Sequence, residues 1–244
     1  VFACLDCPNT AAIRPRLKRQ VRTYGTHPQV DIRAYDIRPD AFRTHFKVRA
    51  FGEDLGEFSL GVPGHHMVLN ALAAIGVALE MGVQREIIHA SLASFVGADR
   101  RFSRRGERKG VTVIDDYGHH PTEIAATLEA ARKGFPERRI VAAFQPHRYT
   151  RTQALLEEFG QAFFNADVVA VTDIYAASEP PIPGLTGQTL VDNILSHGQR
   201  EAHYCPRVED LHTFLDGLVQ PGDLLITFGA GSITHVGTKF LELP

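Results

Sequence analysis

The chain has 244 residues, room for one large domain or two ordinary ones. With 44% hydrophobic and 22% charged residues it is a globular sequence, and at this size its core needs no disulfides. A formal net charge of −2 gives no global field to recruit nucleic acid or an anionic membrane, so neither is expected as a partner.

No apolar run approaches the ~20 residues of a membrane-spanning helix, and no signal-peptide pattern opens the chain. Cys4 and Cys7 form a C-x-x-C pair, but there is no second pair to complete a zinc site. Two reduced thiols near a strand end are expected, with a thioredoxin-like redox pair as the open alternative. Reduced cysteines suit a cytoplasmic location. The chain opens on Val1 in what reads as the end of a buried strand, so a fragment of a longer protein is expected.

In chain order, Val1–Leu5 is apolar and Pro8–Arg19 suits a helix with proline in its first turn. Val30–Asp36 and Thr44–Ala50 alternate as half-buried strands do, and Glu57–Val62 can pair with the second across Gly52-Glu53-Asp54. Val68–Met81 is a helix ended by Gly82, and Gln84–Ala93 another. Gly97–Arg108 is polar, basic and glycine-punctuated, and is expected to hold a domain boundary.

From Gly110 the pattern becomes strand, loop, helix, repeated. The strands are Val111–Ile114, Ile140–Phe144, Val168–Thr172, a short edge strand before Cys205, and Leu224–Phe228. The helices are Pro121–Ala131, Arg151–Asn165, Thr189–Ser196, Val208–Leu218 and Thr234–Leu241. Continuous apolar strands between helices indicate a parallel sheet covered on both faces. Ligands of such sheets bind beyond the carboxyl ends of the strands. That rule selects the loops Asp115–His120, Gln145–Thr150, Asp173–Gly184 and Gly229–Ser232.

In the first loop, Asp115 and Asp116 leave a strand together, and Tyr117, His119 and His120 follow at a helix start. Such carboxylates can accept ribose hydroxyls or hold a cation, and a neutral histidine can bind substrate. A helix cap with solvated polar residues accounts for the segment equally well. In the second loop, Arg148 and Arg151 stand three apart at a helix start, on one side, as bidentate recognition of a carboxylate or phosphate requires. In the first half, His66 and Asn70 open a helix, where capping is the plainer role. Arg100 and Arg101 sit at the expected boundary, in reach of phosphates or as a solvated hinge.

Six segments, in this order, resemble the Mur ligase family. They are Gly64-x-His66-x-x-x-Asn70, Phe95-x-Gly97-x-x-Arg100-Arg101-Phe102, Asp115–Glu123, Phe144–Thr152, Asp173–Glu179 and Gly229-Ala230-Gly231-x-Ile233. The resemblance covers almost the whole chain. It implies the C-terminal part of a central ATPase domain, a mixed sheet with helices, in residues 1–97. A Rossmann-like domain with a mainly parallel sheet would follow in residues 98–244.

It further implies an ATP-dependent ligase of cell-wall precursor synthesis, which joins L-alanine to UDP-N-acetylmuramate through an acyl phosphate. A ligase of the same family that recycles a preformed tripeptide, and a non-catalytic nucleotide-binding remnant, are the alternatives. Carried over, His66 and Asn70 contact adenine, and Arg100 or Arg101 with Asp115 and Asp116 hold ribose and phosphates. Tyr117, His119, Arg148 and Arg151 form the alanine side.

Three departures stand out. The family usually has asparagine at Met67 and aspartate at Ser232, and the phosphate-gripping motif G-x-x-x-x-G-K-[ST] occurs nowhere in the chain. The UDP-sugar domain, that loop and the magnesium ligands are therefore expected in a missing N-terminal part, with this chain inactive alone. Its first 94 residues are expected to be the less stable half.

Overall fold

The computed structural model describes all residues, 1–244. The chain folds as two units, Val1–Val96 and Gly97–Pro244.

The first unit is a five-stranded sheet in the order β1-β2-β3-β4-β5, with β1 Phe2–Cys4, β2 Arg22–Gly25, β3 Ile32–Asp40, β4 Arg43–Ala50 and β5 Glu53–Leu60. The first three strands are parallel and the last two continue as an antiparallel meander. Helix α2, His65–Glu80, buries Val68, Ala71, Leu72, Ile75 and Gly76, the stripe expected of a helix lying on a sheet. Its partners include Ile32, Phe46 and Phe58, all fully buried. Gly82, at φ +73°, follows the helix in a conformation that favours glycine. Helix α3, Arg85–Ser94, packs against β5.

The second unit is a six-stranded sheet in the order β10-β9-β8-β11-β7-β6. Its strands are β6 Ser103–Arg108, β7 Val111–Asp116, β8 Ile140–Phe144, β9 Val168–Val171, β10 Ala202–Tyr204 and β11 Leu224–Phe228. All neighbours are parallel except β6, which runs antiparallel along β7. Every residue of β7, β8, β9 and β11 is buried, as a sheet covered on both faces demands. On one face Val113, Val141 and Leu225 meet α8, Leu211–Asp216, and α9, Thr234–Leu241. On the other, Phe144 packs against Phe159 and Phe163, with ring centroids 5.4 and 5.5 Å apart. Helices α4, Pro121–Gly134, α6, Leu156–Gln161, and α7, Gly187–Ser196, supply that layer.

Several local expectations differ from the structure: the helix expected over Val208–Leu218 is the shorter α8, and the strand expected over Glu57–Val62 is β5, which takes in Glu53 and Asp54 of the expected turn. The helix expected over Pro8–Arg19 stops as α1, Pro8–Ile13, and a single 3-10 turn, Arg14–Arg16, succeeds it. Pro15 has no N–H to continue the ladder. The helix expected over Arg151–Asn165 divides into α5, Tyr149–Ala154, and α6, because Leu155 takes φ −119° and ψ 23°. Strand β2 was not expected. Nor was β6, whose run Ser-Arg-Arg-Gly-Glu-Arg reads as a hinge; charged residues suit an edge strand for the same reason that they conceal it.

Gly187, the first residue of α7, lies hard against the end of β9. A Cβ there would sit 2.2 Å from the Thr172 carbonyl oxygen and 2.8 Å from the Tyr204 ring. Gly187→Ala is therefore expected to cost about 1–3 kcal/mol in chemical denaturation. A variant as stable as the parent would contradict this packing.

Candidate active site

Four loops leave the carboxyl ends of the adjacent strands β9, β8, β11 and β7, and backbone bonds join them into one rim. Gln145 N–H donates to the Phe228 carbonyl (3.1 Å), and Gly229 N–H to that of Asp116 (3.3 Å). Arg148 N–H donates to the Tyr175 carbonyl, and Tyr175 N–H to that of Pro146, both at 2.8 Å. The buried Gln145 adds a side-chain stitch. Its Oε1 accepts from Ile233 N–H at 3.1 Å, and its Nε2 reaches Ser232 Oγ at 3.2 Å.

The two aspartates at the end of β7 are committed inside the protein. Asp115 is 1% exposed. Its Oδ2 accepts from Arg100 Nε and Arg105 Nη2, both at 3.0 Å, and from Thr234 Oγ1 at 3.1 Å. Its Oδ1 accepts from Thr227 Oγ1 at 2.8 Å. Asp116 accepts the N–H groups of Gly118 at 2.7 Å and Phe102 at 2.8 Å. Burial pushes its carboxyl above the usual range, while those two N–H groups and Arg101 pull the other way.

Arg100 is held from both ends. It adopts φ +58°, donates through Nη2 to the Gly229 carbonyl at 2.5 Å, and lies 5.0 Å from the Tyr117 ring centre. Arg101 lies 5.6 Å from the same ring and 3.3 Å from Glu123, with its side chain 44% exposed. Tyr117 is thus flanked by two guanidinium groups and meets His119 edge-on at 5.1 Å.

His119 and His120 enter α4. His120 is the N-cap, its Nδ1 accepting from Thr122 N–H at 3.3 Å. Glu123 accepts from the N–H groups of His119 (3.1 Å) and His120 (3.2 Å), closing a capping box. The cap and the site are therefore the same residues: the histidine backbones start the helix while the His119 ring turns to Tyr117. Burial pushes the Glu123 carboxyl up, but the His119 N–H, His119 itself and Arg101 hold it below the usual range.

Arg148 and Arg151 differ from the arginines on Asp115. Neither has a carboxylate within ion-pair distance, whereas Arg100, Arg101 and Arg105 each do. Arg148 is exposed and adopts φ +74° at the N-cap of α5, a strained conformation outside glycine. Arg151 Nη1 lies 3.5 Å from His147 Nδ1. The His147 ring stacks on Tyr175 at 5.4 Å and faces His119 at 6.1 Å. Burial, then Arg151, His119 and Arg148, push this imidazole below the usual histidine range. Glu179, on the same rim, is occupied by Thr150 N–H (3.0 Å) and Oγ1 (2.8 Å).

Tyr117, His119, Arg148 and Arg151 are thus brought to one rim of the second unit, with Arg100, Arg101, Asp115 and Asp116 behind Tyr117. His66 and Asn70 lie in the first unit, four apart and exposed on the first two turns of α2. Asn70 Nδ2 makes a long contact, 3.8 Å, with Met67 Sδ. Sequence reasoning passed over Arg105, His147, Tyr175 and Glu123. His147 was findable, since it lies between the strand-end glutamine and the two arginines. Arg105 was not, because nothing in a basic stretch says which arginine turns inward. No group of three or more His, Cys, Asp or Glu side chains is arranged to hold a metal ion. No helix is long and apolar enough to cross a membrane.

The second unit matches the family model described as Mur ligase, glutamate ligase domain, over residues 100–231, and the first matches Mur ligase middle domain over residues 1–78. A UDP-N-acetylmuramate–L-alanine ligase of Pelobacter propionicus is 52% identical over 240 residues, 98% of this chain and 52% of that protein. One of Myxococcus xanthus is 48% identical over 98% of this chain and 51% of that protein. The chain spans about half the length of the curated relatives it matches. The solved UDP-N-acetylmuramate-alanine ligase of Thermotoga maritima superposes with TM-score 0.77 at 30% identity, covering 91% of this chain and 47% of that one. MurF of Acinetobacter baumannii shares the fold, with TM-score 0.75 at 18% identity over 99% of this chain and 51% of its own. Matched by a Mur ligase domain in each of its two units, the chain belongs to the Mur ligase family.

Proposed function

We propose that this chain is the part of an ATP-dependent UDP-N-acetylmuramate–L-alanine ligase that receives the amino acid and contacts the nucleotide. The observation that carries the reading is the pair Arg148 and Arg151, two guanidinium groups on one rim that form no ion pair, unlike Arg100, Arg101 and Arg105. A half-buried arginine such as Arg151 normally has an acidic partner, and the lack of an ion pair here leaves room for an anion from outside. The relatives near half identity bear the alanine-ligase name, which favours the L-alanine carboxylate as that anion over a tripeptide.

In this reading Tyr117 and His119 border the amino acid. Arg100 and Arg101 face ribose and phosphates, and His66 and Asn70 of the first unit contact adenine. Asp115 contributes through Arg100 rather than by touching nucleotide, since all its contacts are internal. Asp116 likewise fixes the turn that carries Tyr117. The reaction passes the γ-phosphoryl group of ATP to the carboxylate of the sugar. The L-alanine amine then attacks the acyl phosphate, forming the amide and releasing phosphate. The residues present do not build a magnesium site, so no step is assigned to the metal on this chain. The free cysteines fit a cytoplasmic place of work.

The test is a chimera: this chain replaces the corresponding half of the Myxococcus xanthus relative. Phosphate release should then require ATP, UDP-N-acetylmuramate and L-alanine together. A folded chimera that ignores L-alanine, or prefers the tripeptide, would refute the reading. In the same chimera, Arg148→Ala or Arg151→Ala should raise the KM for L-alanine roughly 10- to 100-fold, the size of a lost charge-assisted hydrogen bond, with the KM for ATP nearly unchanged. Equal effects on both constants would show that the arginines do not select the amino acid.

A further inference from the structure

The C-x-x-C pair of the first unit has no role in the assignments above. Cys4 and Cys7 are free and half-buried, whereas Cys205 is buried. Cys4 ends β1, and Leu5 and Asp6 form the turn into α1, with Cys7 as its N-cap. The first and fourth Cα atoms of a four-residue turn lie within about 7 Å, and a disulfide spans about 4.4–6.8 Å between Cα atoms.

The turn is anchored to β2 and its exit. Leu5 N–H donates to the Tyr24 carbonyl at 2.9 Å. Asp6 accepts from Thr26 N–H at 2.9 Å and from Thr26 Oγ1 at 2.7 Å. Its Oδ2 lies 3.8 Å from His65 Nε2, at the start of α2. Cys4 stands beside Tyr24 in the register of β1 and β2, so the two side chains share one face of the sheet. Burial, then the thiols of both Cys4 and Cys7, push the Tyr24 phenol above its usual range, so both sulfurs face that one ring.

The three thiols are not equivalent. Thr10, through its hydroxyl and then its N–H, holds the Cys7 thiol below the usual range. Burial pushes the Cys205 thiol up. The thiolate is the attacking form, so Cys7 is the point of entry and Cys205 is inert.

We propose that Cys4 and Cys7 are a thiol switch, oxidised by a low-molecular-weight disulfide to an intramolecular disulfide that closes around Asp6 and is sensed at His65. The Cys7 thiolate attacks the small disulfide, forming a mixed disulfide and releasing one small thiol. The Cys4 thiolate then attacks Cys7 Sγ and releases the second. Two protein thiols are oxidised, one small disulfide is reduced, and the two thiol protons end on the released thiols. An excess of small thiol reverses both steps. A bond of about 2.05 Å between sulfurs that are now free draws the ends of the turn together at Asp6. Disulfides in a reducing compartment are usually transient and redox-sensing, which suits such a pair. The site does not rest on the assignment of a carboxylate to Arg148 and Arg151.

The test treats the 244-residue chain with oxidised glutathione at about pH 7.5, then alkylates the remaining thiols and maps them by mass spectrometry. The product should lack two hydrogens on the peptide that holds Cys4 and Cys7, with Cys205 still a thiol. Cys4→Ser should stop at a glutathione adduct on Cys7. In the folded, reduced chain, Cys7 should be alkylated at least about tenfold faster than Cys205. The His65 ring signals, assigned through His65→Gln, should shift on oxidation and return with dithiothreitol. Glutathione adducts that persist on both cysteines, a disulfide between two chains, or an intramolecular disulfide that leaves the His65 signals unmoved would overturn the switch.

Discussion

The second unit depends on one buried carboxylate. Asp115 sits at the end of β7 with almost no exposure and bonds to Arg100, Arg105, Thr227 and Thr234. Those partners come from the turn before β6, from β6 itself, from β11 and from α9. One side chain therefore ties four segments at the end of the sheet where the loops open. A buried ion pair adds little net stability over an apolar core, but removing one partner leaves an unpaired charge and costs about 3–5 kcal/mol. Such an arrangement is better understood as fixing geometry than as adding stability. What it fixes is Arg100, whose far end reaches the Gly229 carbonyl and whose flank lies on Tyr117.

The rim beyond Asp115 separates two kinds of arginine. Arg100 and Arg105 each pair with Asp115 from within. Arg148 and Arg151 form no ion pair, the nearby Glu179 being bonded to Thr150, and Arg148 holds a left-handed backbone conformation. Strain at a non-glycine residue persists only where the surroundings enforce it. Here they do so through the bond from its N–H to the Tyr175 carbonyl and the cap its carbonyl provides to Thr152. Cations that form no ion pair within the protein are well suited to an anion supplied by a ligand.

The parallel sheet of the second unit was legible because its strands are short, wholly apolar and spaced by helices. Ile140–Phe144, Leu224–Phe228 and Thr234–Leu241 have the limits that the pattern indicated. The loops that carry the rim followed from the strand ends alone. What escaped was structure without an apolar signature. Strand β6 is built of charged residues because it is an edge, and β2 is four residues long. The aspartate pair illustrates a deeper limit. Two acidic residues at a strand end suggested ligand contact, yet only the folded chain shows Arg105 and Thr234 arriving from 10 and 119 residues away to occupy Asp115. Arg148 and Arg151 could be read as a pair from their spacing, but that Glu179 bonds to Thr150 and leaves both without an ion pair is a property of the fold.

The central claim is that the rim grips a carboxylate through Arg148 and Arg151. Its most direct test compares L-alanine with L-alaninamide, which keeps the amine and methyl groups and lacks the carboxylate, by calorimetry and by the arginine guanidinium signals of the chain. The account predicts that L-alanine binds and moves the signals of both arginines, while the amide at the same concentration does neither. Equal binding of acid and amide, or binding of the acid that leaves both guanidinium groups undisturbed, would contradict it.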